Sequence, residues 1–213
     1  MNNLVKKAIA RPEVLVMGPI VLPSINLRAP ISIASRKMYS YPETLRILGE
    51  EIGKIVRTLS IDKIAGCETS GIVLGTAVSM VTRIPMLYVR KEKKQPPRFA
   101  VEGVIHAGDK VALIDDSIVA AKNKLVFINH IEEVGGMVTD IIVACDARQR
   151  QKDADENMKV LADKHIRFHA LFTWPEWYEA LHEKGYMSQE MLDIAIDAAH
   201  DLPSWQGDQA KEK

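Results

Sequence analysis

The chain has 213 residues, with 28 Lys and Arg balanced by 28 Asp and Glu, 47% hydrophobic residues and 26% charged ones. These are globular proportions, which exclude disordered and fibrous classes. A net charge of zero argues against a protein whose main task is to coat nucleic acid or an anionic membrane.

No uncharged run approaches the ~18 apolar residues that span a bilayer. The uncharged stretch 14–27 is broken by Gly18, Pro19 and Pro23 and does not read as a signal peptide. Cys67 and Cys145 are too few for a disulfide framework or a four-ligand zinc site. They read as small core residues of a cytoplasmic protein.

In chain order, residues 12–41 carry Pro12, Pro19, Pro23 and Pro30 and read as an irregular arm or hood. Residues 42–59 form a strongly amphipathic helix. Residues 61–66 are a short apolar strand, and 71–82 a buried helix with Ile72, Leu74, Val78 and Val81 along it. Strand candidates follow at 86–89 and 111–114. Residues 125–134 have helical apolar spacing and stop at Gly135 and Gly136, as a helix C-terminus should. Residues 137–145 are nearly all apolar, which suits a strand buried on both faces. A helix at 154–164, a strand at 166–172 and helices at 174–184 and 188–200 complete the chain, with Ser188 placed as an N-cap. Strands separated by helices predict βαβ units and an α/β fold with a mostly parallel sheet. The expected organisation is an arm or hood over 1–41, one α/β domain over 42–205 and a polar tail over 206–213.

In such a sheet ligands bind beyond the carboxyl ends of the strands. After the strand at 111–114 come Asp115 and Asp116, which can accept hydrogen bonds from vicinal sugar hydroxyls or, equally, cap a turn and face solvent. After the strand at 61–66, Glu68, Thr69, Ser70 and Gly71 open a helix whose N–H groups can hold an anion or simply be capped. After the strand at 86–89, residues 90–98 carry five cations and one anion. That run is either a solvated charged loop or an anion clamp. Together the three loops suit a ligand with a sugar and more than one phosphate. His165 and His169 lack the helical H-E-x-x-H pattern of a metal pair. Trp174 and Trp177 read as packing residues, and His106 as a surface turn residue.

These stretches resemble the type I phosphoribosyltransferases, and among them the orotate enzymes. VALIDD at 111–116 matches the phosphoribosyl pyrophosphate (PRPP) motif and AGCETSGI at 65–72 the pyrophosphate loop. YVRKEKK at 88–94, with VEG at 101–103 and GD at 108–109, matches the flexible loop and its return strand. PISIASR at 30–36 with Tyr41 and Pro42 resembles the hood, and DARQ at 146–149 the exit of the next strand.

The resemblance implies the type I phosphoribosyltransferase fold: a central sheet flanked by helices, under a small N-terminal hood. It implies transfer of phosphoribosyl from PRPP to orotate, Mg²⁺ carried by PRPP, and a homodimer. Residue by residue, the ribose hydroxyls would meet Asp115 and Asp116. The 5′-phosphate would lie along Ser117, Val119, Ala120, Ala121, Lys122 and Asn123, with Val119 also near the base. Pyrophosphate would meet Glu68, Thr69, Ser70 and Gly71, with Arg90, Lys91 and the catalytic Lys94 closing over it. Arg148, with a one-residue offset, would bind the base. Val119 and Ala120 stand where the family has hydroxyls, Ala121 where it has glycine, and Pro23 where the orotate enzymes place a lysine. A transferase for another base, or a non-catalytic sensor of a nucleotide or PRPP, stays open beside the orotate reading.

Overall fold

The structure is a computed structural model that describes residues 1–22, 27–92, 100–119, 121–148 and 152–200. The expectations for Pro23, Lys94, Ala120 and the tail 206–213 lie outside those residues.

The chain opens with α1 (Asn3–Ile9), which the sequence reading lacked. The Asn2 side chain accepts from the Val5 N–H at 2.9 Å and so caps it. Within 12–41 most of the described residues lie in regular elements where irregularity was expected. A 3-10 turn (Pro12–Val14) leads into β1 (Leu15–Leu22) and β2 (Leu27–Ile33), an antiparallel pair, and a second 3-10 turn spans Ser35–Ser40. The prolines obscured this pair. In a two-stranded ladder each strand has an open side, so Pro19 and Pro30 can sit in strands without removing a needed N–H donor.

The rest follows the expected alternation: α2 (Pro42–Val56), β3 (Lys63–Cys67), α3 (Ser70–Thr82), β4 (Met86–Val89), β5 (Val101–Glu102), β6 (Lys110–Ile118), α4 (Lys122–Glu133), β7 (Met137–Asp146), α5 (Lys152–Asp163), β8 (Arg167–Thr173), α6 (Trp174–Glu183) and α7 (Gln189–His200). Strands β3 to β8 form a six-stranded sheet in the order β5-β4-β3-β6-β7-β8. All of its pairings are parallel except that of the two-residue edge strand β5 on β4.

Alternation along the central strands divides the interior in two. Ile64, Ala112, Ile114 and Ile142 face α2, α3 and α6, where Leu48, Ile52, Leu74, Val78 and Trp177 meet them. The same core takes in Val5 and Ile9 of α1 and Ile31 and Ile33 of β2. Ala65, Leu113, Ile141 and Val143 face Phe127, Ile128 and Ile131 of α4 and Leu161 of α5. Each large aliphatic side chain so buried contributes about 1.5–3 kcal/mol. Cys67 and Cys145 are buried thiols in these cores. Among the described residues no helix is long and apolar enough to cross a membrane.

The far edge is β8. There the buried Asp140 of β7 accepts from Arg167 Nε and Nη2 at 2.9 Å each, from His169 Nε2 at 2.9 Å and from Thr139 Oγ1 at 2.8 Å. His169 is thus a hydrogen-bond partner of Asp140 on a strand.

Helix α6 begins with a reciprocal cap. Thr173 Oγ1 accepts from the Glu176 N–H at 3.4 Å, and Glu176 Oε2 accepts from the Thr173 N–H at 2.7 Å. Thr173→Ala is expected to remove about 1 kcal/mol of stability. Thermal unfolding should show a Tm lower by about 2–4 °C.

Candidate functional site

Strands β3 and β6 lie side by side, yet the connection from β3 runs outward to β4 and the one from β6 runs the other way to β7. The chain therefore diverges beyond their carboxyl ends and leaves a crevice there. Gly66 pairs with Ile114, so the loop that leaves Cys67 stands opposite Asp115. Gly71 permits this approach: a β-carbon on it would lie 2.2 Å from the Ile114 carbonyl oxygen.

Strand β6 is longer than the apolar run predicts. It continues through Asp115, Asp116 and Ser117 because β7 pairs with it as far as Ile118 opposite Asp146. Both acids are therefore strand residues, each 8% exposed, rather than turn residues facing solvent. Asp115 Oδ1 accepts the Asp116 N–H at 2.9 Å, and Asp115 Oδ2 accepts the ammonium of Lys124. Lys124 Nζ also donates to the Ser117 carbonyl at 3.1 Å. Asp116 Oδ2 accepts Ser35 Oγ at 2.5 Å, and Tyr39 Oη donates to the Ser70 carbonyl at 3.1 Å. The second 3-10 turn is in this way tied to the ends of both strands.

Burial, aided by the Asp116 charge, pushes the Asp115 carboxyl up to about 6, while Lys124 opposes the rise. Burial alone would lower the Lys124 ammonium, but the Asp115 charge outweighs it and the net shift is upward. Burial also pushes up the Cys67 thiol and the Tyr39 hydroxyl, which stay neutral beside the acids.

Sequence reasoning missed Lys124 because it started the helix at 125. With the start at Lys122, the buried positions of α4 are 124, 127, 128 and 131. That is one helical stripe, and a lysine within it signals a buried partner. Ala121, just before the helix, has φ 55°, a left-handed conformation that costs a residue with a β-carbon about 1 kcal/mol.

Of the residues singled out in the sequence, Glu68, Thr69, Ser70, Lys91, Asp115, Asp116, Ser117, Val119, Ala121, Lys122 and Asn123 line one cleft of about 650 Å³, together with Ser35, Arg36 and Lys124. Gly71 is buried and does not line it. Arg90 is not part of the lining. Its guanidinium donates to Glu102 at 3.1 Å and to Tyr88 Oη at 3.1 Å, and stands 3.8 Å from Glu68. Arg148 is held apart as well, donating to Asp146 at 2.8 and 2.6 Å and stacked 4.6 Å from the Phe168 ring centre.

A smaller cavity of about 130 Å³ adjoins the cleft at Ser35, Ser117 and Val119. Ile33, Cys145, Ala147, Trp174 and Trp177 form its apolar walls, and Ser32 adds a third hydroxyl. Trp177 also packs as expected, edge-on to Phe172 at 5.2 Å with its Nε1 donating to the Ile9 carbonyl at 3.0 Å. Among the described residues the lining of this cavity has no cationic side chain.

The site thus offers carboxylate acceptors for hydroxyls, the N-terminal N–H groups of α3 and α4, and the cations Arg36, Lys91 and Lys122 for anions. The small cavity, with apolar walls and three serine hydroxyls, lies beside them.

Residues 36–177 match the family described as a phosphoribosyl transferase domain. The orotate phosphoribosyltransferase of Roseobacter denitrificans is 30% identical over 190 residues, covering 86% of this chain and 82% of that protein. Among solved structures, the UMP synthase of Leishmania donovani superposes with a TM-score of 0.77 at 22% identity over 92% of this chain, which spans 41% of that longer protein. The orotate phosphoribosyltransferase of Mycobacterium tuberculosis in complex with PRPP superposes with a TM-score of 0.64 at 15% identity, covering 83% of this chain and 99% of that one. These superpositions establish the fold.

Proposed function

This chain belongs to the phosphoribosyltransferase family, and from that membership we propose that it transfers the phosphoribosyl group of PRPP to orotate, releasing pyrophosphate and forming orotidine 5′-monophosphate in pyrimidine biosynthesis. The observation that carries the reading is the placement of Asp115 and Asp116 between the N-termini of α3 and α4 at the divergence of β3 and β6.

In this reading the acid pair accepts the ribose hydroxyls. The 5′-phosphate lies along residues 117–123, against the α4 N-terminus and Lys122. Pyrophosphate lies along Glu68, Thr69 and Ser70, with Gly71 behind them and Lys91 at the rim. Lys94 serves as a further cation toward pyrophosphate, and Arg90 joins it on leaving Glu102. The base enters the small cavity past Val119, with Arg148 at the exit of β7.

The reaction needs no Ser or Cys nucleophile, because the acceptor is already an anion. As the bond to the anomeric carbon lengthens, negative charge grows on pyrophosphate, and fixed N–H groups and Lys91 stabilise it there. Among the described residues no group of three or more His, Cys, Asp or Glu gathers as a direct metal cage. Mg²⁺ bound through PRPP would lie by Thr69 and Ser70 and would supply further neutralisation of the leaving group. Val73 and Met80, seven residues apart on the outer side of α3 and 37% and 78% exposed, give an apolar patch for a second copy. We read the protein as a homodimer on that basis, and as cytoplasmic because Cys67 and Cys145 are free thiols.

A second reading, a transferase for a base without a carboxylate, is favoured by the engagement of Arg148 on Asp146 and by the uncharged lining of the small cavity. Pyrophosphate release measured with PRPP, Mg²⁺ and each of orotate, uracil, adenine, guanine and hypoxanthine separates the two. Release with orotate is the expected outcome. Release only with another base selects the second reading, and calorimetric PRPP binding without release for any base removes both.

A further inference from the structure

One charged group in the cleft has no part in the transfer as described. Lys124 is 5% exposed, and its ammonium holds Asp115 Oδ2 and the Ser117 carbonyl. The other oxygen of Asp115 holds the Asp116 N–H, so both are engaged. On Asp116, Ser35 takes Oδ2, and Oδ1 has no partner among the described residues. Among the described residues no fully buried side-chain oxygen lacks a partner, so Oδ1 keeps some exposure on a residue that lines the cleft. The two acids are therefore not equivalent: one is locked from within and the other presents a free acceptor.

We propose that Lys124 is a positioning residue for the ribose site, the fixed counter-ion that holds Asp115 as an anion turned onto the Asp116 amide so that Asp116 offers Oδ1 to a ribose hydroxyl. This rests on the acid pair being the ribose acceptor.

The physical case is one of charge in a confined space. Adjacent buried carboxylates repel, and desolvation disfavours both charges, so without a cation one of them takes a proton. A protonated Asp115 would be a donor pointing at its neighbour, and its grip on the Asp116 amide would weaken. The groups facing Asp115 are Cys67 from β3, Tyr39 from the second 3-10 turn, Asp116 on β6 itself and Lys124 from α4. The thiol and the hydroxyl are neutral, and Asp116 adds like charge. Arg36 and Lys122 line the same cleft, but the contact with Asp115 is made by Lys124. Lys124 therefore supplies the compensating charge that favours the anionic form of Asp115.

The test is PRPP affinity by calorimetry between pH 5.5 and 8.5 at fixed Mg²⁺, comparing wild type with Lys124→Met, Lys124→Arg and Asp116→Asn. The phosphates of PRPP titrate identically in every experiment, so the ratio of variant to wild-type Kd reads the protein alone. Lys124→Met should bind PRPP at least about tenfold more weakly at pH 7, with the loss growing as pH falls, since each pKa unit gained by Asp115 is a factor of ten in its proton affinity. Lys124→Arg, which keeps the charge, should restore most of the affinity and the wild-type pH profile.

Wild-type affinity and profile in Lys124→Met overturn the proposal. So does an equal, pH-independent loss in both Lys124 variants, which marks a packing role. Unchanged binding in Asp116→Asn instead overturns the ribose reading beneath it. Should Lys124→Met not fold, carboxyl-carbon NMR of aspartate-labelled wild type replaces it. A resonance missing from Asp115→Asn that is a carboxylate at pH 7 supports the proposal, and one that is still a protonated carboxyl at that pH overturns it.

Discussion

Asp116→Asn is expected to lower kcat/KM for PRPP by about a hundredfold while leaving the fold intact. Hydrogen bonds to a charged acceptor contribute about 1.5–3 kcal/mol each, and 1.4 kcal/mol is a factor of ten. Asparagine keeps the shape but replaces one carboxylate oxygen with a donor, and it cannot offer oxygen both to Ser35 and to a ribose hydroxyl. Removing a charge beside Asp115 also relieves repulsion within the pair, so thermal unfolding should show no loss of stability. Pyrophosphate-release kinetics and a melting curve on the same preparation check both halves. A variant within threefold of wild type would remove Asp116 from the ribose site.

The largest loss of stability should come from a single methyl group. In Gly71→Ala the new carbon would stand 2.2 Å from the Ile114 carbonyl oxygen, 3.1 Å from Asp115 Cα and 3.1 Å from Cys67 Cβ. The first two are backbone atoms of the neighbouring strand, and they cannot swing aside as a flexible side chain would. Overpacking of this kind costs about 3 kcal/mol, which for a chain of this size lowers Tm by roughly 6–12 °C. The relaxation open to the protein is to part α3 from β6, which carries the loop at Glu68–Ser70 away from Asp115. PRPP affinity should therefore fall together with stability, and urea unfolding alongside calorimetry measures the two. A Tm within 2 °C of wild type would show that the strand ends do not need this close approach.

The sheet was legible because its strands are short β-branched runs bounded by helix-like segments, and buried parallel strands tolerate little else. Asp115 and Asp116 were legible as candidates for the same reason: carboxylates directly after such a run are conspicuous. What the pattern concealed was how far β6 extends. Its last residues are fixed by pairing with β7, and a partner 28 residues away leaves no trace in local composition. The same holds for the side-chain partners. Arg148 is a plausible hand for a base carboxylate until Asp146, two residues earlier, is seen to hold it. Ser35 carries no mark that it will reach Asp116 across 81 positions. Lys124 had a mark, its place in an apolar stripe, but a helix start read three residues late hid it. In residues 15–33 prolines outweighed the alternation of apolar residues, because sequence patterns treat every strand as if both of its sides were occupied.

The ends of the six-stranded sheet bear on how the protein behaves when it is crowded. Open sheets grow by recruiting another chain along an unpaired edge, and a long, flat, uncharged border is what invites this. Here one border is β5, two residues long, which gives an incoming strand almost no ladder to extend. The other is β8, where Arg167 stands largely in water and is clamped to Asp140. A strand laid along β8 would have to strip solvent from a guanidinium that cannot turn away. Edge-to-edge stacking is thus disfavoured at both margins, and association between copies is directed to helical faces instead.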